Sequence, residues 1–228
     1  LSACGSDNDD NNNASVVNPS LPVVTTATSK PIRSFTRDQV NSSLVPATAA
    51  AATPAAKCGV TIEKVTYDTK GAAGEATKAT AALMLPNGDD ASCKGNRPVL
   101  LYAHGTTTDK GYDFSQVGNP GNPGGGEATL IAANFAAQGY IVVAPNYAGY
   151  DESTLAYHPY LVAEQQSTDM VDALASSRAI INEQKRANNV NYSKLNDSGK
   201  LFISGYSQGG HVAMATARRL EALQQPIT

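Results

Sequence analysis

The stretch Leu201-Phe202-Ile203-Ser204-Gly205-Tyr206-Ser207-Gln208-Gly209-Gly210 constrains this chain more than any other. It predicts a short apolar strand, a G-x-S-x-G turn, and an Ala-rich helix beginning His211-Val212-Ala213-Met214-Ala215. The turn is so tight that its serine must take strained backbone angles, and only glycine tolerates the close approach at Gly205 and Gly209. The serine hydroxyl is then presented at the tip of the strand, and the backbone N–H of Gln208 points to where an oxyanion would form. The five-residue pattern alone arises often by chance. The strand before it and the helix after it make Ser207 a candidate nucleophile.

The chain has 228 residues, enough for one sizeable domain with a full hydrophobic core. A net charge of −3 offers no basic surface for nucleic acid. No apolar run approaches the roughly 20 residues of a membrane-spanning helix. H-E-x-x-H, a cysteine cluster, a Walker loop and G-x-G-x-x-G are all missing from the sequence, so neither a metal nor a nucleotide cofactor is expected. The glycine-rich run at 121–126 lacks the lysine and strand context of a phosphate loop.

Leu1-Ser2-Ala3-Cys4 resembles a bacterial lipobox, where a signal peptide is cut before a cysteine that then carries lipid. A run of Asp and Asn from Asp7 to Asn13 follows, and such a segment suits a tether better than a core. An exported protein is therefore expected, lipid-anchored through Cys4 at the cell envelope or else secreted. Cys58 and Cys93 are then a natural disulfide pair, because export brings them into an oxidising compartment. Residues 1–30 read as a polar low-complexity linker and 31–57 as an Ala/Thr/Pro-rich arm, with folded structure expected from Cys58 onward.

Val60 to Tyr67 alternates apolar and polar residues like a half-buried strand, and Ala79 to Pro86 reads as its antiparallel partner. Pro98 to Ala103 and Tyr140 to Pro145 are continuously apolar, as expected of strands covered on both faces. Helices are predicted from Glu127 to Gln138, stopped by Gly139, and from about Pro159 to Asn188. An antiparallel hairpin leading into alternating parallel strands and helices predicts an α/β sandwich. Asp169 and Asp172, on the long helix, read as solvated. Asp151, just past a strand end, reads as a residue that closes a pocket or caps a turn.

Further motifs lie in order around the elbow: Tyr102-Ala103-His104-Gly105-Thr106-Thr107, Ala144-Pro145-Asn146-Tyr147-Ala148-Gly149-Tyr150-Asp151, and His158-Pro159-Tyr160-Leu161. With Gly205-Tyr206-Ser207-Gln208-Gly209-Gly210-His211, the chain resembles an α/β-hydrolase, and more narrowly the bacterial esterases related to the secretory-lipase family. The resemblance covers about Cys58 to Leu223. It implies an α/β-hydrolase sandwich and ester hydrolysis through an acyl-enzyme on Ser207, with a small-molecule or lipid ester as substrate. It also implies oxyanion donors at the backbone N–H groups of Thr106 and Gln208, with His104 and Gly105 supporting the donor loop.

One departure from the family pattern stands out. The triad order is Ser, then Asp or Glu, then His, with the last two far downstream of the elbow. After Ser207 the sequence holds no Asp, one Glu (Glu221) and one His (His211). His211 is expected to be carried into the packing beneath the site, and His158 to be structural or at the pocket rim. Residues 58–228 thus read as the N-terminal part of a hydrolase domain whose later strands and triad partners lie elsewhere. Two other readings compete: a serine peptidase of the prolyl-oligopeptidase type, and a non-catalytic surface lipoprotein on a hydrolase scaffold. The first leaves no room for the large propeller such peptidases place ahead of the domain.

Overall fold

In the computed structural model, residues 20–22, 24, 26–45 and 50–228 are described; Cys4 and its acylation lie outside them. Ordered structure starts earlier than Cys58. Thr28–Phe35 forms strand β1, which pairs antiparallel with β2 (Gly59–Lys70) from Thr28↔Thr66 to Phe35↔Val60. This strand lies at the edge of the sheet, mostly exposed, with Pro31 at a register shift and Lys30 and Arg33 pointing to solvent. Such an edge carries little period-two hydrophobic signal, which is why its residues read as an arm.

A short helix, α1 (Arg37–Gln39), follows, with Thr36 and Gln39 forming a reciprocal capping box. Then come β2 and its antiparallel partner β3 (Ala76–Asn87), joined at Gly71 to Gly74. The predicted hairpin forms, but β2 is not half-buried, since Thr61, Glu63 and Lys64 are buried along with its apolar residues. Strand β4 (Gly95–Ala103), helix α2 (Gly125–Asn134) and strand β5 (Ile141–Pro145) form a crossover, with Gly139 at φ 101° stopping the helical segment. Helix α3 (Ala163–Arg186), the short α4 (Val190–Ser193), strand β6 (Leu195–Gly205) and helix α5 (Gln208–Ala222) complete the domain.

The six strands lie in the order β1-β2-β3-β5-β4-β6. The first four in that order are mutually antiparallel, whereas β5, β4 and β6 run parallel. Because β5 and β6 flank β4 on opposite sides, the chain reverses direction across the sheet at β4. Ligand crevices in open α/β sheets form at the carboxyl ends of strands at such a switch point. Val99 to Ala103 and all of β5 are buried, the expected consequence of cover on both faces.

Cys58 and Cys93 form a disulfide that ties the start of β2 to the segment between β3 and β4. It closes a loop with a sequence separation of 35. In the chain-entropy picture a loop of this size contributes about 3–4 kcal/mol.

Candidate active site

Register brings the two candidate loops together. In the β4/β6 ladder Ala103 lies opposite Gly205, so His104-Gly105-Thr106 and Tyr206-Ser207-Gln208 leave the sheet side by side. The N–H of Tyr206 donates to the carbonyl of Ala103 at 3.2 Å, extending the pairing one residue past the strand. A Cβ on Gly209 would lie 1.9 Å from the Ala103 carbonyl oxygen, and one on Gly205 would lie 2.1 Å from that of Gly209. Both glycines are therefore demanded by backbone packing between the helix start and the neighbouring strand.

Ser207 sits at φ 54° and ψ −117°, a conformation costly for a residue with a Cβ. It is exposed, and its hydroxyl makes no hydrogen bond among the described residues. Gln208 opens α5, so its N–H has no acceptor within the helix. Across the gap the N–H of Thr106 has no hydrogen-bond partner among the described residues.

The loop that carries Thr106 is fixed from several directions. His104 is fully buried, with Nδ1 2.7 Å from the Gly105 carbonyl and Nε2 3.1 Å from that of Asn146. Burial pushes its pKa down to about 4, so the ring is neutral and only one of these nitrogens carries a proton to donate. Tyr147 donates to the His104 carbonyl at 3.0 Å. The Gly105 N–H donates to the Glu127 carboxylate, which also accepts from Tyr102 and Tyr112 at 2.7 and 3.2 Å. His104 thus acts as a fastener of the loop.

His158 lies on the far side of Gln208. Its Nδ1 donates to the Ala148 carbonyl at 3.0 Å, leaving Nε2 to accept from the side-chain amide of Gln208 at 2.6 Å. The Gln166 amide approaches the same nitrogen at 3.3 Å. Burial lowers the pKa of His158, consistent with a neutral ring that accepts.

The Dienelactone hydrolase family matches residues 124–227. Among solved structures, a rice cell wall degrading esterase, LipA from Xanthomonas oryzae, matches with a TM-score of 0.71 at 34% identity, over 88% of this chain and 47% of that one. The chain has the α/β-hydrolase fold. A Legionella pneumophila protein (TM-score 0.66, 22% identity, 88% of this chain and 49% of that one) has the same fold. So does Candida antarctica lipase A (TM-score 0.51, 14% identity, 85% and 37%). Comparison with curated proteins gives no match. The chain spans about half the length of the esterase it resembles (47%).

Within this fold several acid and base candidates stand differently from expectation. His211 is exposed rather than packed beneath the site. Helix α5 buries Gln208, Gly209, Val212, Thr216 and Leu220, and that rotational phase turns His211 outward. Asp169 is not solvated. It is fully buried and accepts from Tyr67 at 2.8 Å and from the Ala148 N–H at 2.6 Å. Burial pushes its pKa up to about 7, against the lowering effect of those bonds. Asp172 is half-buried and accepts from Thr69 at 2.8 Å. Both face β2, from which α3 covers the sheet.

Asp151, at φ 49°, belongs to a buried ionic cluster that the sequence reading missed. The Lys64 ammonium lies 2.7 Å from both Asp113 and Asp151, and Thr80 donates to Asp151 at 2.7 Å. Asn146 links the cluster to the His104-Gly105-Thr106 loop. Its amide reaches Thr80 at 2.9 Å, its carbonyl side-chain oxygen accepts from the Phe114 N–H at 2.7 Å, and its main-chain oxygen meets His104. No group of His, Cys, Asp and Glu suited to a metal occurs among the described residues.

Proposed function

We propose that the complete protein is a serine carboxylester hydrolase, with Ser207 as the acyl carrier and the Thr106 and Gln208 N–H groups as the oxyanion hole. The observation that carries this reading is the Ala103↔Gly205 register, which sets a strained, unbonded serine beside a loop N–H with no partner. Ester and hydrolase relatives support it. In the reaction Ser207 Oγ adds to the ester carbonyl carbon, and the negative charge that develops on the carbonyl oxygen falls between the two N–H donors. Collapse expels the alcohol and leaves an acyl-serine, which water then cleaves by the same path. Each well-placed donor contributes ~2.7–4 kcal/mol to such a transition state.

A base must take the serine proton, and none of the three histidines is placed to do so. His104 and His158 have both ring nitrogens engaged and His211 faces solvent. On this reading the base lies in the part of the esterase fold that this chain, spanning 47% of its relative, does not cover. On the same reading the segment that precedes β1 tethers the enzyme to the cell envelope through lipid on Cys4; a cell-wall-degrading relative and the Cys58–Cys93 disulfide support export.

The test is fluorophosphonate labelling of the full-length protein, with peptide mapping of the adduct. Adduct on Ser207, and loss of both labelling and p-nitrophenyl butyrate hydrolysis in Ser207→Ala, is the expected result. Full labelling of Ser207→Ala would discard the assignment. Intact mass of envelope-fraction protein checks the anchor: unmodified Cys4 in the native host removes it.

A further inference from the structure

The rings of Tyr112, His104, Tyr147, His158 and Tyr150 form one continuous series, with centroid separations of 4.3, 4.1, 5.6 and 4.5 Å. It starts in the core and ends at Tyr150, itself only 5% exposed, which backs a cleft of about 420 Å³ that exposes Tyr157 and Tyr160. Tyr160 stands edge-on to His158 at 6.4 Å, continuing the series to the rim. These outer tyrosines are 43% and 51% exposed, so their rings are open to the cleft.

The rings are held in place by their polar ends. The Tyr150 hydroxyl donates to the Thr107 carbonyl at 2.5 Å, and that of Tyr157 to Glu75 at 2.5 Å while accepting the Ala72 N–H at 3.2 Å. Both hydroxyls are used on the protein; Tyr150 is held as the packed back of the cleft, and Tyr157 keeps its ring open to a ligand. The lining contains no Leu, Ile, Val, Met or Phe and no carboxylate. Its one cationic side chain, Lys110, is steadied by the Leu155 carbonyl at 3.1 Å. An alkyl chain would find no aliphatic wall here. A flat ring would find edges and faces at stacking distance.

The cleft also adjoins the reaction centre. Thr106, which offers the unpartnered loop N–H, lines it, and His158, on its wall, holds the side chain of Gln208. A group seated among the tyrosines is thus joined to an ester lying across the two donors.

We propose that this cleft is a subsite for an aryl group carried by the ester, and that it gives the enzyme a preference for aryl over equally large alicyclic substituents. The ring stacks against Tyr157 and Tyr160, and Lys110 favours an oxygen substituent at its outer edge. The proposal rests on the Ser207 reading for its catalytic meaning and on the cleft alone for binding.

The experiment compares pairs that differ only in aromaticity, using the full-length protein. Ethyl 3-phenylpropionate against ethyl 3-cyclohexylpropionate probes the acyl side; 2-phenylethyl acetate against 2-cyclohexylethyl acetate probes the alcohol side. On one side kcat/KM should favour the aryl member by about two- to tenfold, the range of one or two aromatic contacts. Tyr160→Leu keeps apolar area but removes the π face, and should bring that ratio toward one. Binding of 3-phenylpropionate and 3-cyclohexylpropionate to Ser207→Ala, followed by ligand-observed NMR, supplies a readout without turnover. Active enzyme with equal rates on both pairs overturns the aryl subsite and leaves the hydrolase reading intact. Tyr160-dependent binding of the phenyl acid alone, with no hydrolysis of any ester, supports the subsite and defeats the Ser207 reading. Equal binding of both acids, unaffected by Tyr160→Leu, defeats the subsite whatever the activity.

Discussion

The side-chain amide of Gln208 donates to His158 Nε2 across 2.6 Å, tying the residue after Ser207 to a turn 50 positions upstream. The same histidine is anchored by Nδ1 to the Ala148 carbonyl, so it can accept only while neutral. This fixes the start of α5, and with it the direction of the Gln208 N–H.

Removing that tie should loosen the proposed oxyanion donor without deleting it. His158→Ala in the full-length enzyme is expected to lower kcat on ethyl butyrate roughly tenfold, less than the 10²–10³ lost when a donor is removed outright. KM should stay close to the parent value, because the contact matters most as charge develops. Rates followed by pH-stat titration decide it. An unchanged kcat, or a rise in KM that accounts for the whole loss, would separate His158 from the oxyanion hole.

Lys64 answers two carboxylates at 2.7 Å from a position that is 5% exposed. Burial alone would lower the pKa of its ammonium, but the bonds and charges of Asp113 and Asp151 outweigh that and raise it. Lys64→Met leaves those carboxylates facing an apolar group, and breaking a buried pair in this way costs about 3–5 kcal/mol. Asp113→Asn added to Lys64→Met should restore part of the loss, since one uncompensated charge is gone. Urea unfolding measures both. A loss below about 1 kcal/mol would mean that the cluster is already screened by water, as exposed pairs are.

The elbow, the parallel core strands and the hairpin were legible because each is a local pattern. Val99 to Ala103 and Ile141 to Pro145 announce burial by unbroken apolar runs, and the glycines around Ser207 announce a tight turn. What stayed hidden depends on partners distant in sequence. Asp169 looks solvated beside Thr168 and Asp172, yet its partner Tyr67 is 102 positions away. Glu127 reads as an acidic residue favourable to a helix start, and nothing local reveals that Tyr102, Tyr112 and Gly105 all donate to it. His211 required the rotational phase of α5, which is set by the packing of Gly209 onto Ala103.

Asp169 should also give stability a pH dependence of its own. Its carboxyl, raised chiefly by burial from an ordinary 3.8 to about 7, binds a proton more tightly in the folded state. The sign follows: its contribution is fully present below the unfolded value and is lost as pH rises through the folded one. Asp169→Asn keeps the shape, with its oxygen able to accept from Ala148 and its amide to donate to Tyr67. The parent's urea midpoint should therefore fall relative to that of Asp169→Asn between about pH 4 and about pH 7. Parallel pH curves for the two proteins would refute the assignment.

Gly209 and Gly210 are neighbours in the first turn of α5, and they should respond oppositely to a methyl group. A Cβ at Gly209 would come within 1.9 Å of the Ala103 carbonyl oxygen and 2.8 Å of that of His104, both backbone atoms with no room to yield. Gly209→Ala must therefore push the helix start away from β4. The shift would separate Gln208 from the Thr106 loop and lift Ser207 from its turn. A Cβ at Gly210 meets nothing within 4 Å. Its φ is not positive, so alanine fits there and gains up to ~1 kcal/mol of helix propensity. Thermal unfolding and labelling of the two full-length variants can be read side by side. Gly209→Ala should lose several degrees and nearly all fluorophosphonate reactivity, whereas Gly210→Ala should melt at or above the parent and label normally. Equal behaviour of the two variants would show that the elbow is not pinned to β4 by backbone contact, and the origin of the strain at Ser207 would have to be sought elsewhere.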